Sequence, residues 1–75
     1  MGARIRYARE LVGLSQAALA DAIGVRPTSV WRFEHDENAP SAESAVLLAR
    51  ALGVTVEWIV MGDGAGPKAS TGTDG

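Results

Sequence analysis

Helix punctuation is the feature that most limits what this chain can become. Ser15, Ser41 and Thr55 are hydroxyl residues suited to cap a helix N-terminus, and Pro27 suits a first helical position. Gly13, Gly24 and Gly53 stand where helices would stop. Between these marks apolar residues recur every three or four positions: Ile5, Ala8 and then Leu11 or Val12; Leu19, Ala20 and Ile23; Val30 and Phe33; Ala45, Leu48, Ala49 and Leu52. No stretch alternates with period two. The expected fold is therefore all-α, with helices near residues 3–12, 16–23, 27–34, 42–52 and 56–61. Leu14, just before the Ser15 cap, is placed to staple onto Leu19.

Seventy-five residues suffice for one small domain and not for two. With no cysteine, neither a disulfide nor a thiolate metal site is available, so the core must come from helix packing. No apolar run approaches the ~20 residues that span a bilayer. Charges occupy the N-terminus where a signal peptide needs apolar residues, so the expected compartment is the cytoplasm. From Gly62 onward glycine, serine and threonine dominate and no large apolar residue occurs. We expect a domain over residues 1–62 and a flexible tail over 63–75.

The formal net charge of −2 hides an uneven distribution. Residues 1–32 hold five arginines against two carboxylates, a net +3; residues 33–75 hold two cations against seven carboxylates, a net −5. Binding responds to the local field, so the first half can meet an anion despite the total.

Residues 16–33, QAALADAIGVRPTSVWRF, carry the most specific pattern. Two short helices that cross closely need a small residue at the contact, and Ala20 supplies it. Four residues on, Gly24 can take the left-handed turn. Val30 then plugs the angle between the helices, and Phe33 returns to the core. This is the helix-turn-helix arrangement, which leaves the N-terminal half of its second helix exposed for the DNA major groove. Two amphipathic helices joined at a glycine with no role in DNA binding fit the bare pattern equally well.

More of the chain narrows the choice. RIRYARELVGLSQAALADAIGVRPTSVWRFE followed by NAPSAESAVLLARALGVTVEWIVMGDG resembles the DNA-binding domain of the lambda, 434 and Cro-type (Cro/C1, XRE) repressor family, without a gap from about Arg4 to Gly64. The resemblance implies a compact five-helix lambda-repressor-like domain. It also implies a transcriptional regulator that occupies double-stranded operator DNA as a homodimer, of the phage or prophage repressor kind. Gln16 falls where the family bonds a backbone phosphate and buttresses the reading helix. Pro27, Thr28, Ser29 and Arg32 fall at reading positions, with Arg26 just before them. Arg32 is either a bidentate reader of guanine or a phosphate contact. Pro27 stands where the family often has a long polar side chain, and Arg26 where it has a polar cap. Arg9 and Glu34 match an ion pair between the first and third helices. Trp31 either packs on the flanking loop or touches DNA.

The loop His35–Asp36–Glu37–Asn38 departs from the family, which commonly has glycine then a cation there. Its carboxylates are expected to repel phosphate. Leu47 and Ala51, placed on the exposed side of the fourth helix, with Val60 and Met61, are expected dimer contacts. Adjacent His35, Asp36 and Glu37 do not make a metal site, because neighbouring side chains rarely converge on one ion. GDGAGPK lacks the strand and the Gly-Lys-Ser/Thr of a phosphate loop. One histidine and no convergent acid–base pair offer nothing for catalysis, so no enzyme activity, cofactor, small-molecule substrate or membrane partner is expected. The alternative function is an antitoxin-like or adaptor module that uses the same fold to bind protein.

Overall fold

Local signals begin and end nearly every helix in the computed structural model, which describes residues 1–67. The elements are α1 (Gly2–Leu11), α2 (Gln16–Ile23), α3 (Pro27–Glu34), α4 (Ala42–Leu52) and α5 (Val56–Met61), and no strand occurs among the described residues. The Ser15, Ser41 and Thr55 hydroxyls accept from the backbone N–H groups of Ala18, Ser44 and Trp58 at 3.0, 3.1 and 3.1 Å. Each bond satisfies one of the donors that a helix N-terminus leaves unpaired. Gly24 closes α2 with φ of 74°, a left-handed turn that a side chain would strain. The Val25 N–H reaches back 2.9 Å to the Ala20 carbonyl. Pro27 opens α3, where its missing N–H costs nothing.

All five helices contribute to one core. Ile5, Leu19, Val30, Leu48, Leu52 and Ile59 are fully buried, and Leu14 packs against them with Leu47, Ala51 and Trp58. Full burial of each large aliphatic side chain stabilises by about 1.5–3 kcal/mol, which short helices need because they are marginal alone. α2 and α3 form the tightest pair, α1 crosses α3, and α4 supports α2 from the other side. Ala20, Val30 and Phe33 sit at the α2–α3 junction as the spacing predicts, all of them buried.

The end of α3 is closed by the acidic loop. The Glu37 N–H donates to the Arg32 carbonyl at 2.9 Å and the Asp36 N–H to the Phe33 carbonyl at 3.2 Å, the double bond pattern of a Schellman cap. Asp36 holds the left-handed position with φ of 58°, where glycine is usual. Its carboxylate reaches the start of α1: Oδ1 accepts from the Gly2 N–H at 2.9 Å and lies 3.8 Å from the Met1 amino group. Asp36 thus joins the end of α3 to the start of α1, while its side chain remains 67% exposed. Gly2 is buried at this contact, and a Cβ there would collide with the Phe33 and Glu34 carbonyls.

Two expectations need correction. The chain does not leave the domain at Gly62. The Thr55 N–H donates to the Ala65 carbonyl at 3.0 Å, and Gly66 lies against the Trp58 indole. A polar, glycine-rich segment was expected to float because it buries no apolar surface. It is held instead by Thr55 at the N-terminus of α5, whose N–H and hydroxyl both donate to the Ala65 carbonyl. The rest of the expected tail, 68–75, lies outside the described residues. Leu47 is not on an exposed face: it is half-buried and packs against the core, as does Ala51. Val46, one position earlier, is the exposed apolar residue of α4.

Candidate nucleic-acid interface

α3 has two faces of opposite character, and its eight residues explain both. With 100° between successive residues, Val30, Phe33 and Glu34 fall on one side and Thr28 and Arg32 on the other. The first group is buried; Pro27, Thr28, Trp31 and Arg32 are exposed and Ser29 is half-buried.

The inner face holds a charged junction of three helices. Glu34 is buried, its side chain only 1% exposed, so its negative charge needs close partners. Arg9 Nε donates to Glu34 Oε2 at 2.5 Å and Nη2 to Oε1 at 3.2 Å, a bidentate pair between α1 and α3. Arg9 Nη1 also donates to the Leu14 carbonyl at 2.8 Å, which ties in the turn before α2. From α2, Gln16 Nε2 donates to Glu34 Oε1 at 3.1 Å. The hydrogen bond to Glu34 is the main cause that raises the Arg9 pKa above its ordinary value, so the guanidinium stays charged. The Arg9–Glu34 pair therefore forms as the resemblance implied. Gln16 is seen buttressing the end of α3 from the first position of α2, with its second amide hydrogen left over.

The outer face holds cations without internal partners. Arg26 is the N-cap residue of α3 and makes no side-chain cap bond. Neither it nor Arg32 makes a side-chain hydrogen bond or ion pair among the described residues. The other arginines of the first half are occupied. Arg4 Nε and Nη2 donate to the Ile59 and Val60 carbonyls, both at 3.0 Å, and so cap the C-terminal end of α5. Arg6 pairs with Glu10 one turn on, at 3.2 Å. Counting charges along the sequence missed this division, because Arg4 and Arg9 find their partners far away in the chain. Among the described residues, the arginines left free in residues 1–32 are the N-cap of α3 and one residue of its outer face.

Trp31 packs on the flanking loop, through that loop's first residue, His35. It is 40% exposed, and its ring stacks on the His35 imidazole with centroids 3.9 Å apart and planes 18° from parallel. Among the expected dimer residues, Val60 and Met61 are exposed, 44% and 68%. Among the described residues, no three histidine or carboxylate side chains are grouped to hold a metal ion. No helix there is long and apolar enough to cross a membrane.

A closely crossed helix pair, a left-handed glycine between them and an exposed second helix define a helix-turn-helix domain. A family model described as helix-turn-helix matches residues 5–59, and the chain belongs to that family, in its Cro/C1 repressor-like branch. It is 33% identical over 63 residues to Repressor protein C2 of Salmonella phage P22, covering 84% of this chain and 29% of that protein. It is 32% identical over 63 residues to the HTH-type transcriptional regulator DicA of Escherichia coli K12, covering 84% of this chain and 47% of that one. The chain thus spans less than half the length of these curated relatives. Among solved structures it is similar to the P22 c2 repressor in complex with a synthetic operator, with a TM-score of 0.81 and 32% identity, covering 83% of this chain and 94% of that one.

Proposed function

We propose that this chain binds double-stranded DNA sequence-specifically and regulates transcription as a phage- or prophage-type repressor, with α3 in the major groove. One observation carries the reading: Arg26 and Arg32, the cations of the first half free of internal partners among the described residues, sit at the N-cap and on the outer face of α3, and Arg32 shares an exposed face with Thr28. The similar P22 c2 repressor was solved on an operator, which supports this use of the face. Arg32 reads guanine through O6 and N7, and the Thr28 methyl meets a thymine methyl. Ser29, Arg26 and the spare amide hydrogen of Gln16 bond phosphates, which position the domain without reading sequence. Pro27 offers only apolar contact at its step.

Operators of this kind are read by two copies, and the exposed Val60 and Met61 are our candidates for the seam. Leu47 and Ala51 lean on the core and are half-buried, so only their exposed edges can add to it. The protein works in the cytoplasm and has no catalytic role. The test is selection of bound duplexes from random DNA, followed by sedimentation of the complex. A consensus with two related half-sites and two chains bound supports the reading. Enrichment of no sequence at low salt defeats it and leaves the protein-binding alternative.

A further inference from the structure

We propose that the Trp31–His35 stack is a proton-controlled extension of the DNA-binding face, in which the His35 imidazolium bonds a backbone phosphate and Trp31 holds the ring in position. The proposal rests on the DNA-binding reading above. Thr28, Arg32 and His35 are spaced i, i+4 and i+7, so His35 continues the exposed stripe of α3 past its last turn. Trp31 lies beside that stripe, and no core contact requires its large, partly exposed ring.

The hydrogen bonding decides what the imidazole can do. His35 Nδ1 lies 2.8 Å from the Trp31 carbonyl oxygen, which can only accept, so Nδ1 carries a hydrogen. In the neutral ring Nε2 is therefore a bare acceptor and faces a phosphate oxygen as a second acceptor, which repels. On protonation Nε2 becomes a donor on a cation, and the same atom bonds the phosphate. The indole face beneath the ring favours the cation and fixes its orientation. The charged groups around His35 are Arg32 and Glu37 on its own segment, Asp36, and the Met1 amino group at the start of α1. Asp36 and the Met1 amino group face one another. Histidine is the side chain that ordinarily changes charge between pH 5 and 8, so DNA affinity rises as the solution is acidified through that range.

The experiment measures binding of the full chain to a selected duplex and to a scrambled one, at pH 8 and pH 5.5 over a range of salt. Wild type should bind both duplexes roughly tenfold more tightly at pH 5.5, as one charge-assisted hydrogen bond gives. Its salt slope should steepen by about 0.9, one more phosphate neutralised. The Trp31→Ala variant should lose most of the pH response, and His35→Gln all of it. His35→Lys should bind at both pH values as wild type does at pH 5.5. Thermal unfolding of each variant checks that it folds. The chain has a single histidine, so its ring resonance reports directly and should change when DNA is bound at pH 5.5. Binding by wild type with the same pH response in His35→Gln overturns this proposal and leaves the DNA reading intact. No binding at any pH overturns both.

Discussion

The two faces of α3 use the same chemistry to opposite ends. On the inner face Glu34 accepts from both Arg9 and Gln16 in a buried junction that fixes how α1, α2 and α3 cross. On the outer face Arg32, two residues before Glu34, has no partner among the described residues and is exposed. A guanidinium with its hydrogen bonds already made can orient a helix but has little left for a ligand. One with five free donors can recognise a phosphate or a base edge. Arginine content therefore says little about binding until each one's partner is known. The inner junction gives the reading helix its angle, and the outer face gives it something to read with.

The largest effect should come from breaking the inner face. Glu34→Ala leaves the Arg9 charge poorly solvated and should lower stability by about 3–5 kcal/mol in urea unfolding. Replacing Arg9 and Glu34 together with apolar residues of similar size should restore most of that loss. A single-variant loss under 1 kcal/mol would remove the distinction between the faces. Next comes Gly2→Ala, which drives a methyl into the Phe33 and Glu34 carbonyls. It should cost about 1–3 kcal/mol through displaced backbone, read as a lower melting temperature. An unchanged melting temperature would mean that α1 and α3 are not locked at this end. The smallest effect serves as a control remote from both faces. Ser41→Ala removes the cap bond to the Ser44 N–H and should cost about 1 kcal/mol, with DNA affinity unchanged once the protein is folded.

Features that depend on near neighbours were legible in the sequence, and those that depend on distant ones were not. Ser15, Ser41, Thr55, Gly24 and Pro27 announce themselves because caps and turns act within a few residues. Ala20, Val30 and Phe33 follow from the geometry of two crossing helices. Arg4 is different: its partners are the carbonyls of Ile59 and Val60, 55 and 56 residues away, and no local pattern signals a helix end there. Gly2 and Asp36 meet across 34 residues, so a loop carboxylate that looked like a plain surface charge also closes a contact between α1 and α3. The Arg9–Glu34 pair was accessible only through resemblance to a family, since one sequence does not say which charges are buried together. Leu47 failed for a subtler reason. Helical periodicity separates the centre of a buried stripe from its opposite face, but a large side chain at the stripe's edge can still fold onto the core. The stacked Trp31 and His35 are an i, i+4 pair, a spacing visible in the sequence whose geometry was not.

The central claim is that the outer face of α3 reads base sequence through Arg32, and one binding panel tests it most directly. Wild type and Arg32→Ala are titrated against a selected duplex and against single-base-pair variants at every position of the half-site. The account predicts that Arg32→Ala unfolds like wild type but loses about 1–3 kcal/mol of discrimination at one base pair, where all substitutions become nearly equivalent. Discrimination elsewhere in the site should be preserved. An equal loss of affinity on every duplex, with discrimination intact at all positions, would make Arg32 a phosphate contact and contradict the claim.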